Sequence, residues 1–270
     1  MKQEQGADQE KEMLCRKFSR AAENYDKYAQ VQKKCAIHLL ETLPSGFWPG
    51  SILEIGCGNG NYSRLLKGKY PDAAITALDF SGEMVETARR KTPDKDIFFL
   101  RREAEEFLAK EQGEFSLITS NATLQWFKDL AGAFRNMAGI LRRDGLIHVS
   151  VFGSGSLIVL GEALREVVDP SLALPSEKFT DYAFLRQAAS PYFNDLEIEE
   201  IKFDRRCSSF LELLAQIHKT GTGGFTPTVP RFTRGSIAEL DKRLTGADGF
   251  TVTYQVFFLT ASGKRDGDVV

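Results

Sequence analysis

The chain has 270 residues, 42% of them hydrophobic, enough for a large buried core in one domain or two. Its 35 Lys and Arg nearly balance 37 Asp and Glu, a formal net charge of -2, so it lacks the basic excess of a nucleic-acid binder. Four scattered cysteines, three scattered histidines, a polar N-terminus and no apolar run near the ~18 residues that span a bilayer predict a metal-free, non-membrane, cytoplasmic protein.

Residues 1–13 are expected to form a disordered tail, and residues 14–270 a single domain. From Glu10 to Leu43, apolar residues recur at helical spacing through Leu14, Phe18, Ala21, Tyr25, Tyr28, Val31 and Cys35, which predicts one long helix or two. After the Pro-Gly turns at 44–50, short apolar runs alternate with helical ones. Strands are expected at 52–55, 74–78, 97–100, 115–119 and 146–152, with helices at 62–69, 81–91, 103–110 and 130–141. This rhythm implies a parallel sheet covered on both faces.

Gly153-Ser154-Gly155-Ser156 breaks the rhythm. Helices are expected at 157–168 and 182–189, strands at 196–203 and 250–259, and between those strands a helical stretch over 208–244 interrupted by glycines at 221–224. The predicted fold is therefore α/β and Rossmann-like: a doubly wound, mostly parallel sheet with an antiparallel C-terminal edge strand. N-terminal helices precede it, and a helical lid comes from about 154–190 and 205–245.

The strongest local signal is Leu53-Glu54-Ile55-Gly56-Cys57-Gly58-Asn59-Gly60, where the first strand meets the first helix of the sheet. Glycines are needed where a ligand lies against backbone, and this junction falls at the ligand-binding edge of a doubly wound sheet. Asp79 ends the second strand, where a carboxylate can accept hydrogen bonds from both hydroxyls of a ribose. A dinucleotide fingerprint would place its third glycine at position 61, which is Asn61, and Glu54 would repel a pyrophosphate. A cationic nucleoside without phosphate fits the charge pattern better.

The block Leu53–Gly60, with Asp79 and the acidic Glu103 after the third strand, resembles the class I S-adenosylmethionine methyltransferases. The resemblance implies that the Gly56 backbone, with Glu54, Cys57, Gly58 and Gly60 around it, holds the methionine moiety. It also implies Asp79 on the ribose, Phe80 and Met84 against adenine, and Glu103 with the Ala104 amide at the adenine edge. Phe18 to Asp26 with Ala29 and Gln32, the run Ser120-Asn121-Ala122-Thr123-Leu124-Gln125-Trp126, Gly155-Ser156-Leu157, Lys219-Thr220-Gly221 and Thr253 to Phe257 are similar to the malonyl-acyl carrier protein O-methyltransferases of biotin synthesis. That similarity runs from about Phe18 to Leu259 and implies methyl transfer to the free carboxylate of a malonyl thioester, with S-adenosylhomocysteine as the second product.

A carboxylate is ionised at pH 7, so this reaction needs no general base, and none is evident. Tyr25, Gln125 and Trp126 are the expected positioning residues, with core packing the rival role for Tyr25 and Trp126. Arg20, Tyr25, Ser120 and Asn121 are expected at the cofactor. Arg20, Arg231 and Arg234 are open alternatives for a cation that steers the acceptor carboxylate. An acidic acyl carrier protein, or malonyl-coenzyme A in its place, would meet a basic surface including Arg205, Arg206, Lys219, Arg231 and Arg234, and a monomer is expected. Methylation of a free small acid, or a non-catalytic binding module, are the alternative functions.

Overall fold

Three helices precede the sheet: α1 (Lys2–Ala21), the single turn α2 (Tyr25–Tyr28) and α3 (Gln30–Glu41). The computed structural model describes residues 2–220, 232–244 and 249–265, with residues 2–8 described by backbone alone. α1 starts inside the stretch expected to be a disordered tail. Its Glu, Gln and Lys residues are good helix formers, and Lys11 ties it to Glu103 and Glu105 across the fold at 2.5 and 3.0 Å.

Strand and helix then alternate: β1 (Ser51–Ile55), α4 (Asn61–Lys69), β2 (Ala74–Asp79), α5 (Gly82–Lys91), β3 (Ile97–Arg101), α6 (Ala104–Lys110), β4 (Phe115–Asn121), α7 (Leu130–Ile140) and β5 (Leu141–Phe152). The caps set where two of these helices start. Ser81 Oγ accepts from the Met84 amide at 3.3 Å, and the Glu103 carboxylate accepts from the Glu106 amide at 2.9 Å. β5 begins earlier than the apolar run suggests, because Leu141 pairs with Phe115 before a register shift brings Leu146 opposite Leu117.

The rest comprises α8 (Ile158–Val167), α9 (Tyr182–Ala189), β6 (Phe193–Cys207), α10 (Phe210–Lys219), α11 (Arg234–Leu244) and β7 (Phe250–Lys264). The seven strands run in the order β3-β2-β1-β4-β5-β7-β6, with β1 to β5 parallel. The C-terminal strand β7 is antiparallel to both neighbours and lies between β5 and the outermost strand, β6. The chain order reverses between β1 and β4, and the carboxyl ends of these strands open the crevice where ligands bind in such sheets.

β6 and β7 are 15 residues each, longer than their short apolar runs predict. β5 stops opposite Val256, whereas β6 and β7 remain paired out to Cys207 and Phe250. A two-stranded ribbon thus overruns the ligand edge of the sheet by about 20 Å. Two apolar clusters fill the faces of the sheet, and a third forms under the ribbon, where Leu160, Leu164, Leu213 and Leu240 pack with Phe250 and Val252. α8, α10 and α11 therefore pack together over the ribbon, from the two stretches expected to form a lid. α9 does not join them: Leu185, Ala188 and Ala189 pack in the sheet core with Phe134. The glycines at 221–224 and Arg231 lie outside the described residues. No helix among the described residues is long and apolar enough to cross a membrane.

Candidate functional site

The chain turns sharply after β1. The Gly56 and Cys57 amides both donate to the Leu78 carbonyl at 2.8 Å, which locks the bend to the end of β2. Gly56 has φ +74°, and a Cβ there would lie 2.0 Å from Thr123 Oγ1, so only glycine fits. Gly60, at φ +82°, is needed for close packing, since its Cβ would come within 3.0 Å of the Ala88 Cβ on α5.

Asp79 is oriented by the same bend. Its Oδ2 accepts from the Gly58 amide at 2.9 Å and its Oδ1 from the Ser81 amide at 2.8 Å. Burial pushes the carboxyl up to about 6, and those two amides offset only part of the effect. Glu54 is buried more deeply, within β1 beneath the bend. Burial, with the Asp79 charge adding to it, pushes Glu54 up to about 8, and its Oε2 has no hydrogen-bond partner.

A cavity opens above the bend. Its floor is Gly56, Cys57, Gly58 and Asp79, with Phe80 and Met84 from the start of α5 on one side and Glu103 and Ala104 from the start of α6 beside them. Its roof is the N-terminal segment: Lys11, Leu14, Phe18 and Tyr25. Phe18 joins the walls, with ring centroids 6.4 Å from Tyr25, 6.1 Å from Phe80 and 6.2 Å from Trp126. Burial raises the Tyr25 hydroxyl above its ordinary pKa, and the Asp79 charge adds to this, so it keeps its proton. An acid on the floor with a second beneath it, a backbone bend that admits no Cβ at Gly56 and an apolar slot suit a nucleoside carrying a cation. They do not suit a diphosphate. S-adenosylmethionine fits this donor set. No group of three His, Cys, Asp or Glu side chains among the described residues is placed to hold a metal.

The run from Ser120 to Trp126 holds backbone as well as lining the site. Ser120, fully buried, donates to the Ile55 carbonyl at 2.8 Å. Asn121 borders the cavity while its Nδ2 donates to the Gln32 carbonyl at 3.0 Å and its Oδ1 accepts from Ser150 at 2.9 Å. Ala122 takes a left-handed φ of 56°. Gln125 Nε2 donates to the Ala122 carbonyl at 2.8 Å, and its Oε1 faces the Phe152 amide at 3.5 Å. This bracing delivers Trp126 to the wall of the first cavity.

Trp126 also borders a second cavity, as does Gln32. Its remaining walls are largely apolar: Phe152, Leu157, Leu174, Phe179, Ile217 and Tyr254, drawn from the sheet edge, the lid and the ribbon. Trp126 stacks edge-on against Phe179 at 5.1 Å. The two cavities therefore share a seam at Gln32 and Trp126.

Tyr25, Gly56, Cys57, Gly58, Asp79, Phe80, Met84, Glu103, Ala104, Asn121 and Trp126 gather at the first cavity, as the sequence suggests. Four others expected at the cofactor do not line it, Arg20, Glu54, Gly60 and Ser120, nor does Gln125, expected as a positioning residue. Glu54 and Ser120 point into the sheet interior, Gly60 packs on α5, and Gln125 borders the second cavity. Arg20 follows the inward-facing Phe18 by two positions on α1, about 200° around the helix, and lines an outer groove with Tyr28, His218 and Lys219. Lys219 bonds the Tyr28 hydroxyl at 2.7 Å and fastens the lid to α2. Arg205 is tucked against the lid beside Glu212 at 3.4 Å, not displayed on the surface, while Arg206 and Arg234 are exposed. Lys11, Leu14, Phe18, Thr123 and Phe127 line the first cavity without having been singled out for it in the sequence. The helical spacing of Leu14 and Phe18 was the available signal.

A family model described as a methyltransferase domain matches residues 53–149. Malonyl-acyl-carrier protein O-methyltransferase from Bacillus anthracis is 30% identical over 268 residues, covering 94% of this chain and 99% of the relative. An Ilyobacter polytropus protein of the same name, numbered 1, is 32% identical over 234 residues, covering 86% of each chain. Among solved structures, the YcgJ protein of Bacillus subtilis superposes with a TM-score of 0.58 at 17% identity, covering 86% of this chain and 99% of that one. A Haemonchus contortus phosphoethanolamine N-methyltransferase 2, solved with S-adenosylhomocysteine, gives 0.54 at 17% identity, covering 84% of this chain and 52% of that one. Those two show the shared fold.

Proposed function

The chain belongs to the malonyl-acyl-carrier protein O-methyltransferases, S-adenosylmethionine-dependent enzymes, and on that premise we propose that its two cavities receive the two reactants and join them at Gln32 and Trp126. The chain methylates the free carboxylate of malonyl-acyl carrier protein, the reaction that the sequence resemblance assigns to biotin synthesis. The shared seam of the cavities carries the reading of where this happens.

In the first cavity, Asp79 would hold the ribose hydroxyls, Phe80 and Met84 the adenine, Glu103 and the Ala104 amide its edge, and the Gly56 backbone the amino-acid end. When bound, S-adenosylmethionine supplies an electrophilic methyl group: an acceptor oxygen gives an electron pair to that carbon, the carbon–sulfur pair returns to sulfur, and an ester and a neutral thioether result. No proton moves, so the chain needs only to align and enclose. Alignment of this kind is worth up to about 7–11 kcal/mol in favourable cases. Trp126, braced between Phe18 and Phe179, fixes one wall of the meeting point. Tyr25, which keeps its proton, can donate a hydrogen bond there. The lid and ribbon exclude water from the second cavity.

The malonyl group arrives on a carrier, and the exposed basic residues about the lid, Arg206, Lys219 and Arg234 among them, are the proposed docking surface for an acidic partner. Arg231, expected beside them, lies outside the described residues. The test is transfer of radiolabel from S-adenosylmethionine. Base-labile label on malonyl-acyl carrier protein or malonyl-coenzyme A, and none on their acetyl counterparts, is the expected result. Absence of label from every malonyl thioester would overturn the reading.

A further inference from the structure

Gln32 and Trp126 are the two described residues that border both cavities. Gln32 is also held in place by its own backbone: the Asn121 side chain, itself fixed by Ser150, donates to the Gln32 carbonyl at 3.0 Å. Its side-chain carboxamide, half-buried, has no hydrogen-bond partner among the described residues.

Apart from the Trp126 indole N–H, which borders the seam with Gln32, the other polar groups around the second cavity are committed or lie away from the seam. The Gln125 carboxamide is engaged with Ala122 and Phe152. The Ser156 hydroxyl bridges the carbonyl and amide of Gln255 at 3.1 and 3.0 Å. Ser176 and Tyr254 border the second cavity alone. Among the described residues no Lys or Arg lines that cavity. Arg205, whose charge acts on Tyr254, does not line the cavity; one Nη lies 3.4 Å from Glu212, while its Nε and other Nη are buried without hydrogen-bond partners. Lys33, next to Gln32, is turned about 100° away on α3 and borders the first cavity.

From this arrangement we infer that Gln32 is the acceptor-recognition residue: its neutral carboxamide donates a hydrogen bond to the acceptor carboxylate at the seam. The inference rests on the two-cavity reading above and adds the group that makes it selective. The chemistry favours a neutral donor over a cation. The acceptor carboxylate carries a full negative charge when it binds and none once it is an ester. A cationic clamp would stabilise the bound acceptor more than the charge-losing transition state, and only interactions that strengthen toward the transition state raise kcat. A carboxamide fixes direction and leaves the charge largely unneutralised. It also explains discrimination against an acetyl thioester, which would leave the amide unpaired in a partly desolvated site.

Equilibrium binding of malonyl- and acetyl-coenzyme A, measured by calorimetry with S-adenosylhomocysteine present, tests this without turnover. Gln32→Glu, nearly isosteric, places like charges together and is expected to weaken malonyl binding about 100-fold while changing acetyl binding less than about threefold. Gln32→Lys is expected to tighten malonyl binding yet lower kcat by about tenfold, the signature of ground-state stabilisation. An unfolding temperature in both variants within about 2 °C of the parent's certifies the fold. The inference is overturned if Gln32→Glu affects both thioesters alike or neither, or if Gln32→Lys fails to tighten malonyl binding or leaves kcat at or above the parent value. A parent protein that labels no malonyl thioester removes the underlying reading instead, so the two failures are distinguishable.

Discussion

The two cavities that meet at Trp126 are built in opposite ways. The floor of the first is made from backbone close in the chain: a bend, the end of the neighbouring strand and two helix starts, with Asp79 locked by two amides. The second is assembled from segments far apart in the chain, among them Gln32, Phe152, Leu174, Ile217 and Tyr254, and its walls are side chains over a small separate core. The first is fitted to an invariant ligand through backbone geometry. The second is a lining laid on that frame, and its substitution should alter which acceptor is used without disturbing the cofactor.

That contrast can be broken by changing one side only. The largest expected effect is at Asp79. Asp79→Ala should weaken S-adenosylhomocysteine binding by at least about 100-fold, since each hydrogen bond to a charged group contributes about 1.5–3 kcal/mol. Malonyl-coenzyme A binding, measured in the same calorimeter, should change less than about threefold. A comparable loss in both would show that the cavities are one energetic unit.

A smaller effect sharpens the same comparison by asking what the buried acids cost the ligand-free fold. A carboxyl whose folded pKa is raised contributes stability below its ordinary pKa and loses it as pH rises through the folded value. Asp79 at about 6 and Glu54 at about 8 both act this way. His148, whose burial lowers it to about 4, acts in the opposite sense below its ordinary 6.5. From pH 6.5 to 8, Glu54 makes the largest of these three contributions, because the other two are nearly finished titrating. The ligand-free chain should therefore lose stability over that window, on the order of 1–2 kcal/mol. Glu54→Gln should flatten the slope in denaturant titrations. A slope that survives the substitution would place its source elsewhere.

The same division explains what could be read from the chain before folding. The bend, Asp79, the Ser81 cap and the strand–helix rhythm are local in sequence, and their chemistry shows in neighbouring letters. The walls of the second cavity are not, because no spacing rule brings Leu174 and Tyr254 to Gln32. Ser120 carries a polar group of the kind that binds ligands, yet its hydroxyl is used to satisfy the Ile55 carbonyl inside the sheet. Arg20 lies in the N-terminal run that resembles the family, and helical phase turns it outward from the cavity that Phe18 lines. The N-terminal residues assigned to a tail were polar enough to suggest disorder. Their partners, Glu103 and Glu105, lie about ninety residues away, and that separation hid the contact.

The account stands on two ligands meeting at Trp126, and that residue can report on both. The other tryptophan, Trp48, is 74% exposed and remote from either cavity lining, so Trp48→Phe leaves a single fluorophore at the seam. Emission should shift saturably when S-adenosylhomocysteine is titrated, and shift again when malonyl-coenzyme A is added to the saturated complex. A malonyl thioester that leaves the emission unchanged, or that competes with S-adenosylhomocysteine, would contradict two reactants joined across this side chain.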